Sequence, residues 1–122
     1  MKPVFDRPSR TAAMAAALCL TANFAAAQSE KLSDNAVRIG VLTDLSGVFS
    51  DLSGKGSVLA ANMAVEDFGG KMFGRPIEVL SADTLNKPDT ASNRARQWFD
   101  RDGVDYIVDL PASSVSLAVV QV

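Results

Sequence analysis

Three short runs rich in β-branched residues recur along this chain, at 36–42 (AVRIGVL), 77–83 (IEVLSAD) and 104–110 (VDYIVDL), and a helix-spaced or helix-opening segment follows each of them. This alternation is the strongest constraint on the fold. Strands that repeat at this interval, joined by helix-length crossovers and short links, build a parallel sheet. The runs are apolar on both faces, as a sheet covered on each side requires. The expected class is therefore α/β, a Rossmann-like parallel sheet with helices on both faces.

The intervening segments support that reading. From Lys55 or Gly56 to Phe68, the residues Val58, Ala61, Val65 and Phe68 share one helical face, with Leu59 and Met63 beside it. Gly69-Gly70 ends this helix, because glycine takes the left-handed conformation of a C-cap. A turn is expected through Gly74-Arg75-Pro76. Pro88-Asp89 opens a second helix, since proline and an acid suit its first turn. Ala91, Ala95, Trp98 and Phe99 recur along it at helical spacing, which assigns Trp98 and Phe99 to the core, and Gly103 stops it. After Pro111, Ser113 or Ser114 is placed as the N-cap of a third helix beginning near Val115. The chain then runs out at Val119-Val120-Gln121-Val122 with no cap or polar tail. Residues 36–122 are accordingly expected to be the first part of a larger domain. Alone they should fold poorly, with a sheet edge and a helix face uncovered.

Ahead of this pattern lie Lys2, Arg7 and Arg10, an apolar run from Ala12 to Leu20, and Ala25-Ala26-Ala27. A basic start, a short apolar stretch and a small-residue cleavage site are the parts of a secretory signal. The apolar run falls short of the roughly 20 residues a membrane-spanning helix needs. Residues 1–27 are read as a cleaved signal peptide and 28–35 as a polar, flexible lead-in, which makes the chain an exported one. Leu18 before Cys19 argues against a lipid-anchoring site. Cys19 is the only cysteine and there is no histidine, so the exported part has neither thiolate nor imidazole chemistry. Removing Lys2, Arg7, Arg10 and Asp6 leaves a mildly acidic remainder, which disfavours nucleic acid and anionic membrane as partners.

Two phosphate-binding readings fail on spacing. Around Ser53-Gly54-Lys55-Gly56-Ser57, a Walker loop would need glycine where Phe49 stands, and a Rossmann fingerprint would need it at Leu59. Asp44, Asp83 and Asp109 all end strands, where open sheets bind ligands. They could be grouped as the magnesium pocket of a receiver domain, but receivers are cytoplasmic. Aspartate is also an ordinary turn former there, and that reading is preferred.

Two other segments join a strand's carboxyl end to a helix's amino end: Thr43 to Gly54, and Pro111 to Val115. Unpaired backbone N–H groups and serine hydroxyls at such places suit a small carboxylate. For Ser113 and Ser114 the alternative is simple capping. For Phe49 and Leu52 it is loop packing.

The stretch from Ile39 to Gly47 (IGVLTDLSG), with Ala60 to Gly70 (AANMAVEDFGG) and Gly74 to Val79 followed by Asp83, resembles the branched-chain amino acid type of ABC transporter substrate-binding protein. The resemblance covers about Val37 to Val122, and residues 36–122 would then be an incomplete N-terminal lobe of a type I periplasmic binding protein. It implies a non-enzymatic periplasmic receptor that closes two lobes on a small-molecule solute, an amino acid or other small carboxylate. The solute would be passed to an inner-membrane ABC permease, with no cofactor or metal. It also implies that the loops after the first and third strands line the cleft. That assigns Ser46, Phe49, Leu52, Ala112, Ser113, Ser114 and Val115 to the ligand, with serine hydroxyls and backbone N–H groups on its carboxylate. Pro111-Ala112 stand where the best-known leucine-type member has cysteine and serine, and Leu52 stands near a common aromatic. Both departures point away from a strict leucine, isoleucine or valine ligand. An exported sensor domain built on the same lobe is the alternative, and a secreted enzyme a more distant one.

Overall fold

The computed structural model describes residues 35–122. The expected signal peptide at 1–27 and the lead-in up to residue 34 lie outside the described residues. The order of elements is β1 (Val37–Thr43), α1 (Gly54–Phe68), β2 (Lys71–Met72), β3 (Arg75–Asp83), α2 (Pro88–Gln97), β4 (Tyr106–Asp109) and α3 (Ser113–Val119). The sheet order is β2-β3-β1-β4, with β1 parallel to both β3 and β4. The α/β expectation holds: the three apolar runs form the three parallel strands.

Alternation along each strand sorts the side chains between the two faces. On one face Leu42 packs with Ala91, Ala95, Trp98, Val104, Ala112, Val115 and Val119 from α2, α3 and their connections. Leu80 and Ile107 add to this core from β3 and β4. Gly40 is the close-approach point. A Cβ there would lie 2.5 Å from the Trp98 ring, so only glycine lets the indole settle on β1. On the opposite face α1 covers Ile39, Ile77 and Val108 incompletely. Its small residues Ala61 and Ala64 leave an open apolar groove of about 560 Å³.

Four local features differ from expectation. A short strand, β2, pairs antiparallel with β3 across a two-residue turn at Phe73-Gly74, both with positive φ, so Arg75 and Pro76 are strand and not turn. After α2 the chain widens into a π-helical turn, Trp98–Asp102, closed by left-handed Gly103. Trp98 is 3% exposed, as expected of a core residue, but Phe99 is 45% exposed. Neighbouring residues lie up to about 100° apart around a helix, so with Trp98 turned fully inward Phe99 falls at the edge of the buried face. Leu59, Met63 and Phe68, read as the apolar side of α1, are likewise exposed, and only Phe68 among them lines the groove. Finally, α3 starts at Ser113, so Ala112 is its N-cap and the two serines are already helical. The hydroxyl that serves the local backbone belongs to Ser116, which reaches the Leu110 carbonyl at 2.8 Å and that of Ala112 at 3.2 Å. The end of α1 follows expectation. Gly69 is left-handed, and Gly69 and Gly70 N–H donate to the Glu66 and Val65 carbonyls.

Candidate functional site

Parallel pairing brings three strand ends to one edge of the sheet. Thr43 lies opposite Asp83, and Leu42 opposite Asp109. The edge is laced just beyond the ladder, where Thr84 N–H donates to the Thr43 carbonyl (2.8 Å) and Leu110 N–H to that of Leu42 (3.1 Å). The segment 44–53 after β1 and the segment 110–112 after β4 therefore rise from neighbouring strands, at the position where open α/β sheets bind ligands.

The loop after β1 is held by its own polar groups. Asp44 is buried, 1% exposed, and its carboxylate accepts from the N–H groups of Gly47 (2.8 Å) and Phe49 (3.0 Å). This is the turn-forming role expected of a strand-end aspartate. A Cβ on Gly47 would come within 2.6 Å of both Asp44 oxygens, so the loop's tight return needs glycine. Ser53 Oγ donates to the Phe49 carbonyl at 3.1 Å. Thr43 Oγ1 accepts from Gly54 N–H at 3.1 Å and lies 3.2 Å from Ser53 Oγ, which fastens the loop's far end to β1.

Asp83 ties this loop to the next strand. One of its oxygens accepts from Leu45 N–H (3.0 Å) and from Leu85 N–H (2.8 Å). The other accepts from Ser46 Oγ at 2.6 Å. Burial pushes the Asp83 carboxyl up, but the hydrogen bonds from Ser46, Leu85 and Leu45 outweigh it and hold its pKa below the ordinary aspartate value. The third strand-end aspartate differs from both. Asp109 is exposed, has φ +79° and lies at the mouth of the groove beneath α1.

The residues assigned to the ligand fall into two groups. Leu52 is 81% exposed, and Ser113 and Ser114 are exposed at the start of α3 with hydroxyls that have no partner among the described residues. Ser46 is also exposed, but its hydroxyl proton is committed to Asp83. Phe49 is half-buried and packs against the core, while Ala112 and Val115 are buried within it. The side chains of Ala112 and Val115 serve packing, and that of Phe49 does so in part. The groove under α1 is a separate feature. Its lining of Ile39, Ile77, Val108 and Phe68 gives a carboxylate nothing to bind, and only Ser57 and Asp109 carry it toward the loops. The clasp by Asp83 was not legible in the sequence, because it depends on which strand becomes the neighbour of β1.

The sequence model of one family, described as periplasmic binding protein, matches residues 36–122. No curated protein matches the chain. Among solved structures, a periplasmic binding protein from Burkholderia mallei is 47% identical, over 71% of this chain and 23% of that one, with a TM-score of 0.70. A branched chain amino acid ABC transporter periplasmic ligand-binding protein from Burkholderia xenovorans LB400 is 53% identical, over 68% of this chain and 22% of that one, with a TM-score of 0.66. An ABC transporter solute binding protein from R. palustris, in complex with benzoate, is 25% identical, over 70% of this chain and 24% of that one, with a TM-score of 0.60. The chain thus spans less than a quarter of the length of these structures.

Proposed function

The chain belongs to the periplasmic binding protein family, and from that premise we propose that it is the solute-binding component of an ABC importer. It takes up an amino acid or related small carboxylate in the periplasm and delivers it, chemically unchanged, to an inner-membrane permease. One observation carries the reading. Two loops rise from adjacent parallel strands, one stiffened by buried and bridging carboxylates, the other leading to two exposed hydroxyls with no partner among the described residues. Such a rim offers hydrogen-bond donors to an anion at little reorganisation cost, which is what a receptor selecting a carboxylate needs.

In this reading Ser113 and Ser114 donate to the solute carboxylate, and Leu52 lies against its apolar body. Ser46 supports the loop that carries Leu52. Closure of a second lobe over this edge supplies the remaining contacts and excludes water. The similar structures from Burkholderia xenovorans and R. palustris bear on the solute class, since a branched-chain amino acid and benzoate share a carboxylate beside an apolar group. Calorimetric titration of the mature full-length protein with leucine and with benzoate tests the proposal. Ser114→Ala is expected to weaken binding of the preferred solute by about 1–3 kcal/mol, the cost of an unmet charged acceptor. An unchanged Kd would remove Ser114 from the site, and no binding of either carboxylate by the unaltered protein would overturn the receptor reading for this solute class.

A further inference from the structure

The loop after β1 carries a polar clasp that its own sequence does not require. Asp44 already closes the turn internally, through Gly47 and Phe49 N–H. Asp83 lies 38 residues away from Leu45 in sequence and adds something different. It takes one donor from the Leu45 backbone, one from the Ser46 side chain and one from Leu85 in its own loop. Two segments that leave different strands are thereby locked to one carboxylate. Apart from Phe49, which anchors the inner part of the loop on the core, neither segment has much apolar packing to hold it in place. Leu45 is half-buried, and Ser46, Val48, Leu52 and Leu85 are exposed. Beyond the Phe49 anchor, the Asp83 hydrogen bonds hold the outer part of this rim, Leu45 and Ser46, in place.

We propose that Asp83 is a positioning residue of the solute site: through Leu45 and Ser46 it fixes the shape of the loop after β1, so that the cleft is formed before the solute arrives. The inference rests on the receptor reading above and deepens it. The carboxylate makes no solute contact in this assignment. It acts by removing alternative loop conformations that would otherwise have to be lost on binding. Ser46 has the matching role. Its hydroxyl points its proton at Asp83, so it shapes the loop and does not donate to the solute.

The test uses the mature full-length protein in three forms, unaltered, Asp83→Ala and Asp83→Asn, with leucine and benzoate as probes. Amide hydrogen exchange without solute is expected to quicken at residues 45–50 in Asp83→Ala while the amides of β1, β3 and β4 keep their protection. Affinity for the bound probe is expected to fall at least about ten-fold, roughly the weight of one charge-assisted hydrogen bond. Asp83→Asn keeps a carbonyl oxygen for Leu45 and Leu85 N–H and should recover part of both effects. If Asp83→Ala does not fold, Ser46→Ala removes one arm of the clasp and should show the same local quickening to a smaller degree. Exchange unchanged at 45–50, or quickened equally across all three strands, would overturn the proposal, as would an affinity equal to that of the unaltered protein. Should the unaltered protein bind neither probe, the receptor reading fails for this solute class, and the exchange pattern alone still decides whether Asp83 holds the loop.

Discussion

The face of the sheet under α2 and α3 and the rim at its carboxyl edge are built from the same strands by different forces. Beneath the helices, Leu42, Trp98, Val115 and Val119 are held by burial, and little there depends on direction. On the rim, Asp44 and Asp83 between them accept from five donors in loops where Phe49 alone reaches the core and Val48 and Leu52 face outward. Burial is strong and tolerant of shape, so it decides whether the lobe stands. Hydrogen bonds are weaker in net terms but directional, so they decide where a loop stands once the lobe has formed. Stability and site geometry are thus assigned to different residues of one small sheet, and substitutions should separate them.

The largest effect is expected at Trp98. Trp98→Ala empties the space above Gly40 and should cost about 3–5 kcal/mol of stability, read from urea denaturation of the mature full-length protein. Any solute affinity that survives folding should be little changed, because the rim residues that reach the core cluster, Phe49, Leu110, Ala112 and Val115, do so by packing and are not the hydroxyl donors assigned to the solute. A large loss of affinity in a folded Trp98→Ala protein would break the division between core and rim. Gly47→Ala probes the other side. Its Cβ meets a carboxylate that is buried and twice hydrogen-bonded, so Asp44 must give up at least one N–H donor, at a cost of about 1–3 kcal/mol. Here exchange at residues 45–50 should quicken well before the strands loosen. Uniform loosening would show that the rim loop is part of the core after all.

The same division explains which parts of the molecule could be read from sequence. Hydrophobic periodicity marks where strands and helices form, and the three parallel strands and both long helices lie where it places them, although the apolar stripe of α1 is left largely exposed. The two residues of β2 carry no periodic signal. They exist because Phe73-Gly74 turns the chain and Arg75–Pro76 offer a partner. Phe49 and Leu52 are equally apolar, and only the loop's closure by Asp44 turns the first toward the core and leaves the second outside. Asp44, Asp83 and Asp109 are indistinguishable as strand-end aspartates, yet one is a buried turn former, one a bridge between loops and one an exposed residue at a groove mouth. What separates them is strand order, a tertiary fact. Ser113 and Ser114 looked like helix caps because serine favours that position, but Ala112 occupies it and Ser116 takes the backbone contacts from within the helix.

The smallest effect expected is also the most selective. The Asp83 carboxyl has a pKa below its ordinary value because its ionised form accepts three hydrogen bonds. A folded-state pKa below the unfolded one means that the stabilising contribution is complete above the ordinary aspartate range and is lost as pH falls through the lowered value. Core packing under α2 and α3 has no such dependence. The stability difference between the unaltered protein and Asp83→Asn should therefore stay constant near neutrality and shrink on acidification through that window, while the difference between the unaltered protein and Trp98→Ala holds steady. Because Asp83 is partly open to solvent, the titrating component should be small and should diminish with added salt. A difference that grew on acidification would reverse the sign of the argument, and the hydrogen bonds from Leu45, Ser46 and Leu85 would then favour the protonated carboxyl.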